Sequence, residues 1–410
     1  MTTSPETRRL LLVGGGGDMT LSVDVAVAAL RQAATRGLTT HVTNLADTLA
    51  ATPAVTAAAD AVTAVDHTDP GAVAAWAVAD GGFDVVFGVR EMAQVAVAET
   101  ARALGLPGND PDAVRRVRSK DACRAALAEA GFVQPLVRLC AGLADAAEFV
   151  ATVAGPWVVK PRDGSGSEGV RLVADPSELA DAVAALPNQD EFLVEEFVVG
   201  AEYSVEGVFL GGEPRVLAVT AKEKLPPPYF VEIGHVLPAD LPSADGERIE
   251  AQVLAALRAL GLTHGLFHVE LWLTDRGIVL GEVHARIGGG WIHRMLEHTL
   301  PGIELYGLAY DDALGAGAAP ASFTTTGAAA SRYFAPPPGR ITTITGWEAV
   351  RDHPAVLYAE LAVGEGDVVR PFSSGEDRVG AVVVSAETPA AARRLAGELV
   401  DSVKFEVESA

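Results

Sequence analysis

The apolar run Leu10-Leu11-Leu12-Val13, cut short by four glycines at 14 to 17, predicts a buried strand entering a tight turn. An apolar-faced helix then runs from Leu21 to Gly37, and Thr39 to Thr43 reads as the next strand. The alternation continues with a helix over Pro70–Ala79, a strand over Phe83–Val89 and a helix over Met92–Gly105. A strand, helix, strand succession of this kind predicts parallel strands covered by helices. Residues 1–110 are therefore assigned to a small open α/β domain.

The pattern then changes. From Asp112 a basic helix bearing Arg115, Arg116, Arg118 and Lys120 runs through Ala122–Ala130, Gly131 stops it, and Pro135 begins an extended segment, which puts a boundary near residue 110. Strands over Trp157–Lys160, Val170–Val173, Phe192–Phe197 and Glu202–Leu210, with a helix near Ser177–Leu186, form an α+β unit rather than a continued parallel sheet. The proline-broken stretch Pro226–Pro242 reads as a long loop, and a loop of that length inside a compact chain is usually functional; its polar members are Glu232 and His235. A helix over Ile249–Leu260, strands over Gly265–Leu273 and Gly277–Val283, and a helix ending at Leu314 lead to a slack Ala/Gly/Thr segment, Gly315–Gly327. Strands near Ala329–Phe334, Val356–Val363 and Gly380–Ala386 and a helix over Pro389–Ser402 complete the chain. The fold class is mixed α/β and α+β in four segments: 1–110, 111–210, 211–325 and 326–410.

Composition narrows the partners. A length of 410 residues suggests roughly three domains at about 150 residues each. With 54 acidic against 31 basic residues the formal charge is -23, which argues against nucleic acid or an anionic membrane, since both select basic surfaces. Only Cys123 and Cys140 are present, so a disulfide framework is not expected and a reducing, cytoplasmic setting is. Met1–Arg9 is polar and the first apolar run is too short for a signal peptide or a membrane span.

The candidate chemistry concentrates in a few places. Glu270 and Glu282 lie on consecutive strands, and two carboxylates brought together by a hairpin can hold hard divalent cations that also bind nucleotide phosphates; Arg286 adds positive charge beside them. Lys160 ends an apolar strand and is followed by the loop Asp163-Gly164-Ser165-Gly166-Ser167-Glu168-Gly169, whose glycines let backbone N–H groups approach an anion. The segment Phe192–Glu202 is a strand, a short connector that can meet an adenine edge through its backbone, and a second acid suited to ribose hydroxyls.

Lys120, Lys160 with its glycine loop, the Glu195–Glu202 connector, Lys222, Glu270 and the segment Glu282-Val283-His284-Ala285-Arg286 stand in an order that resembles the ATP-grasp superfamily, over nearly the whole chain. Within it the chain looks most like carboxylate–amine ligases of the L-amino acid ligase type. That resemblance implies ATP and Mg²⁺, two ions by expectation with Mn²⁺ able to replace them, and activation of a carboxylate as an acyl phosphate that an amine then attacks. It implies that Lys120, Lys160, Ser165, Gly166 and Ser167 serve the phosphates, Glu195 with the backbone of Phe197 and Val198 the adenine, and Glu202 the ribose, with Lys222 also among the nucleotide-binding residues. Glu270 and Glu282 would bind the metal. Arg286 would stabilise the acyl phosphate, a task for a planar fork.

The superfamily usually has Asn where this chain has His284, and imidazole is a reluctant Mg²⁺ ligand, so His284 stays open between ligand and neighbour. Glu232 and His235 resemble positions that hold the substrate amino group, and the histidine can accept the amine's proton. Gly288, Gly289, Gly290 and Trp291 resemble the acceptor pocket, with the tryptophan as a gate. The expected partners are a small carboxylate and an amine, with a homodimer also expected by resemblance. Two other readings stay open: a carboxylase or purine-pathway enzyme using bicarbonate or another small carboxylate, and a nucleotide-binding protein without turnover. The Gly14–Gly17 run departs from dinucleotide-binding spacing and reads as a tight βα turn.

Overall fold

The computed structural model describes residues 8–408 except 165, 227–229, 317–319 and 321, and the backbone alone of 376. Strands β1 (Arg9–Val13), β2 (Thr39–Asn44), β3 (Ala61–Ala64) and β4 (Val85–Phe87) form a wholly parallel sheet in the order β3-β2-β1-β4, as the alternating pattern predicts. Strand β3 carries no apolar signal because it lies at the edge and is largely exposed. The predicted basic helix is two helices, Pro111–Arg118 and Lys120–Glu129, broken at Ser119, whose backbone is extended. The break puts Lys120 at the start of a new helix.

A four-stranded antiparallel sheet follows, from β5 (Val137–Cys140), β6 (Trp157–Pro161), β7 (Arg171–Val173) and β8 (Phe192–Glu196) in the order β5-β8-β6-β7. It has its own core, built on Phe149, Trp157, Val159 and Phe192.

The centre of the molecule is an eight-stranded sheet. Strands β9 (Ala201–Leu210), β10 (Glu213–Lys224), β11 (Glu232–Leu237), β12 (Leu266–Thr274) and β13 (Gly277–His284) are joined by three of the six later strands, β14 (Ala328–Tyr333), β15 (Gly339–Thr345), β16 (Val356–Leu361), β17 (Val368–Val369), β18 (Gly380–Ala386) and β19 (Lys404–Glu408). The order is β13-β12-β9-β10-β11-β14-β18-β16, while β17-β15-β19 form a separate small sheet.

Two expectations need correction. The stretch Pro226–Pro242 is not a loop throughout: Glu232–Leu237 pairs antiparallel with both β10 and β14, because an apolar alternation survives between the prolines. The C-terminal α+β segment adds β14, β18 and β16 to the edge of the central sheet and shares its core. Strand β9 likewise belongs to the central sheet and not to the smaller one.

Period-two alternation sorts the central strands. On β9, Tyr203, Val205 and Phe209 pack with the helix Ser243–Leu260 and with Val114, Val117 and Leu127 of the two short helices, while Glu202, Ser204 and Glu206 occupy the opposite face. Among the described residues no helix is long and apolar enough to cross a membrane.

Candidate functional site

The polar face of the central sheet floors a cavity of about 770 Å³. Five neighbouring strands each contribute charged groups to it: Glu282 from β13, Glu270 from β12, Glu202 from β9, Lys222 and Lys224 from β10, and Glu232 with His235 from β11. The smaller sheet covers one end with Lys160, Glu195 and the glycine loop, and the N-terminal domain walls the other with Met19, Leu21, Val89 and Arg90. The two carboxylates of the predicted hairpin do share one cavity. Strands β12 and β13 are antiparallel neighbours, with a bulge between Val269 and Leu271 that re-aims the side chains around Glu270.

At the centre Lys222 is buried and ion-paired with Glu270 at 2.7 Å, Glu232 at 2.6 Å and Glu202 at 3.2 Å. Burial alone would lower its pKa, but the three carboxylates outweigh that and lift it well above the ordinary lysine value. Glu232 and Glu270 are held far below the carboxylate range against the opposing effect of burial, Lys222 being the main cause. The carboxylate oxygens of Glu202, Glu232 and Glu270 lie within 4.8 Å of one another, but their centre is an ammonium group. The second oxygen of Glu202 meets Lys224 at 2.5 Å.

Below this layer Glu206, fully buried, accepts from Ser204 Oγ at 2.7 Å and from His268 Nδ1 at 2.9 Å. The other ring nitrogen of His268 donates to Glu270 at 3.2 Å. Burial would depress the imidazole pKa, yet the two acids raise it to about 9. His268 is thus a cation at neutral pH and orients Glu270 from beneath.

Glu282 faces Lys120 at 3.7 Å and His284 Nε2 at 3.4 Å, and these neighbours overcome burial to hold it well below the ordinary carboxylate range. Two ionised carboxylates on adjacent strands, with side chains 21% and 29% exposed to the cavity, are a hard-oxygen donor set that fits a divalent cation. His284 donates through Nδ1 to Glu91 at 2.8 Å, and the same Glu91 oxygen accepts from Arg286 Nε at 2.8 Å. Arg286 also donates to the Ile287 carbonyl, so its plane is fixed from two sides. Glu91 belongs to the N-terminal domain, at the start of the short turn Glu91–Ala93 that follows β4, and nothing in the local sequence marks it.

Around the glycine loop, Lys120 donates to the Gly164 carbonyl at 3.0 Å, Ser167 Oγ donates to the Phe230 carbonyl at 3.3 Å, and Gly375 N–H donates to the Gly166 carbonyl at 2.9 Å. Three parts of the chain thus hold the loop over the cavity. Its glycines are required: Gly164 and Gly166 have φ of +110° and +72°. Ser165, also expected at this site, lies outside the described residues.

Lys160 pairs with Glu195 at 2.8 Å, but Arg124 grips the same carboxylate with Nε at 2.5 Å and Nη2 at 2.9 Å. Burial therefore leaves Lys160 with a lowered pKa that shared Glu195 only partly restores. Such an under-compensated ammonium suits an anion. Arg124 also donates to the Leu280 carbonyl at 3.2 Å, pinning the smaller sheet to β13. Glu195, expected at the adenine, is instead turned toward these bases, and the connector after it is fixed by Phe197 N–H, which donates to the Pro156 carbonyl at 3.0 Å. Val198 lines the cavity next to it.

At the inner end His235 packs under Gly290, where a Cβ would come within 2.3 Å of His235 Cε1, and faces Glu232 at 3.4 Å and Ser331 Oγ at 3.3 Å. Gly289 has open space where a Cβ would be. Trp291 departs from the expected gate. It is 1% exposed and stacked on Tyr358 at 3.9 Å between ring centres, and it caps the helix Ile292–Thr299 as part of the core, because the preceding glycines turn the chain inward. Sequence reasoning also missed Arg378, whose guanidinium lies over the Tyr333 ring at 3.9 Å and donates to the Glu232 carbonyl at 3.0 Å.

Residues 153–294 match the ATP-grasp domain family, and residues 332–408 match the family described as L-amino acid ligase C-terminal domain 2. An uncharacterised protein of Sinorhizobium fredii is 30% identical over 334 residues, 79% of this chain and 69% of its own length. Human carnosine synthase 1 is 30% identical over 240 residues, 52% of this chain, although that stretch is only 28% of the synthase. The crystal structure of an L-amino acid ligase from Bacillus licheniformis superposes with a TM-score of 0.81 at 22% identity, covering 99% of this chain and 100% of that one. The chain belongs to the ATP-grasp ligase family and carries the C-terminal domain of its L-amino acid ligase branch.

Proposed function

We propose that the protein joins the carboxylate of an amino acid to an amine, using ATP. A carboxylate oxygen of the first substrate attacks the γ-phosphorus, ADP leaves, and the resulting acyl phosphate is attacked at its carbonyl carbon by the amine nitrogen. Phosphate leaves with the former carboxylate oxygen, and the amine gives up a proton.

The observation that carries this reading is the single cavity bordered by Lys120, Lys160 and the glycine loop at one end, by Glu270 and Glu282 on its floor, and by Arg286, Glu232 and His235 at the other. Lys120, Lys160 and the loop backbone would hold the phosphates, Phe197 and Val198 would border the base, and Glu202 would reach the ribose. Glu270 and Glu282 would hold Mg²⁺, two ions by expectation, which when bound offsets phosphate charge. Arg286, fixed by Glu91, meets the negative charge that develops on the acyl group; donors already oriented for such charge lower the barrier without reorganising. Glu232 suits the substrate ammonium, and His235, held between Glu232 and Ser331, suits acceptance of the proton from the amine. His284 spends Nδ1 on Glu91 and turns Nε2 to Glu282, which supports the role of a neighbour that orients the metal carboxylate.

Phosphate release should be measured with ATP, Mg²⁺ and pairs drawn from an amino-acid set. The reading expects release only when a carboxylate and an amine are both present, with one amide formed per ADP. Bicarbonate-stimulated hydrolysis without any amine would favour the carboxylase alternative, and folded protein silent with every pair would end the ligase reading.

A further inference from the structure

One cation on the cavity wall stands apart from the others. Arg286, Arg378 and Arg124 each face a carboxylate: Glu91, Glu232 and Glu195 respectively. Arg90, just beyond the end of β4, lines the same cavity, yet among the described residues its guanidinium makes no hydrogen bond or ion pair; its backbone carbonyl accepts from Gln94 Nε2 and the Ala93 N–H. Burial lowers its pKa, opposed only by the more distant charge of Asp18. Gly17 makes room for it, since a Cβ there would stand 3.3 Å from Arg90 Cζ. Met19, Leu21 and Val89 beside it are apolar and offer no counter-charge. A half-buried guanidinium left in such surroundings costs free energy that an anionic ligand would recover.

The reaction proposed above limits which anion that is. The nucleotide phosphates are accounted for at the Lys120, Lys160 and glycine-loop end. The first substrate's carboxylate is consumed, becoming the acyl phosphate and then the amide carbonyl. The anion that persists from bound substrates to product is a carboxylate carried by the amine-bearing partner. Resting on that reading, we propose that Arg90 is the group that binds a free carboxylate on the second substrate, so that the acceptor's charge is read from the N-terminal domain.

The test uses the full chain with ATP, Mg²⁺ and one productive donor, comparing an acceptor amino acid with its carboxamide, which has nearly the same shape and no charge. Wild-type protein should prefer the acid, and Arg90→Gln should raise the KM for the acid by about ten- to a hundredfold, the range expected for one charge-assisted contact, while the carboxamide, the donor and ATP keep their KM values. Arg90→Lys should fall between, having the charge without the fork. Equal use of acid and carboxamide by the wild type, or a rise confined to the KM of the donor or ATP, overturns the inference, and the wild-type comparison stands even where a variant fails to fold. Amide synthesis that ignores the acceptor's charge would sink this inference alone, whereas absence of synthesis with every pair would sink the ligase reading with it.

Discussion

Glu91 offers the sharpest test of how the site is held together, because it touches no expected substrate atom. It accepts from Arg286 and His284 at 2.8 Å each and faces Arg118 at 3.9 Å, and despite burial its pKa is held far below the carboxylate range by these cations. A hydrogen bond involving charged groups contributes about 1.5–3 kcal/mol. Since the Glu91 side chain keeps 15% of its exposure, the lower end applies, and two such bonds give roughly 3 kcal/mol of orientation at Arg286 and His284. At about 1.4 kcal/mol per factor of ten, Glu91→Ala should lower kcat roughly a hundredfold. Glu91→Gln, which keeps an acceptor but not the charge, should lose about tenfold, as neutral acceptors are about half as strong. The KM for ATP should stay within about threefold, because the nucleotide end is built from other residues. Initial rates of ADP release with saturating donor and acceptor, beside a thermal melt to confirm folding, decide the matter. A folded Glu91→Ala protein with wild-type kcat would show that Arg286 needs no such brace and would refute the reasoning.

Glu282→Ala should cut turnover by about a hundredfold or more and raise the Mg²⁺ concentration needed for half-maximal rate, whereas wild-type Mg²⁺ dependence would remove Glu282 from the metal site. Gly290→Ala should destabilise the protein by about 2–4 kcal/mol, from a backbone φ of +64° and a Cβ 2.3 Å from His235, while Gly289→Ala, with open space, should melt within a degree or two of wild type; equal melts would contradict the packing. His268, with a folded pKa of about 9 against an ordinary 6.5, contributes stability that is complete below pH 6.5 and is lost as pH rises through 9; the total is about 3 kcal/mol, and His268→Gln should flatten the melting temperature over that window relative to wild type. Arg124→Met should destabilise by about 3–5 kcal/mol, by leaving Glu195 buried with Lys160 alone, and a chemical denaturation curve matching wild type would contradict that.

The parallel N-terminal sheet was readable because its strands are short apolar runs closed by turn residues, and so were the hairpin of β12 and β13 and the helix over 389–402. Strand β10, Glu213–Lys224, went unread, and β11 was taken for loop, for a common reason: their cavity-facing positions are charged. Thr220, Lys222 and Lys224 alternate with Val219, Ala221 and Glu223, a pattern that on most proteins marks a solvent-facing strand or a turn-rich connection. Only the neighbouring acids of β9, β11 and β12 make those lysines interior groups, and that proximity is set by strand order, which alternation does not encode.

The same logic separates the site residues that could be named from those that could not. Lys160, Glu270, Glu282 and Arg286 sit in local contexts, a strand end before a glycine loop and a hairpin before a glycine run, that announce their chemistry. Glu91, Arg124, Glu206 and Arg378 sit in contexts that announce nothing, because each acts on a residue far along the chain: Glu91 on Arg286, Arg124 on Glu195, Glu206 on His268, Arg378 on Glu232. Most of them brace or neutralise the groups that motifs reveal. With a formal charge of -23 and several carboxylates converging on one cavity, the floor cannot stay ionised and ordered unless interior cations are interleaved with it, and Lys222 and His268 supply them. A motif therefore points to where the chemistry is done, whereas the counter-charges that let those motif residues keep their protonation states become visible only once four separate stretches of chain have been brought around a common space.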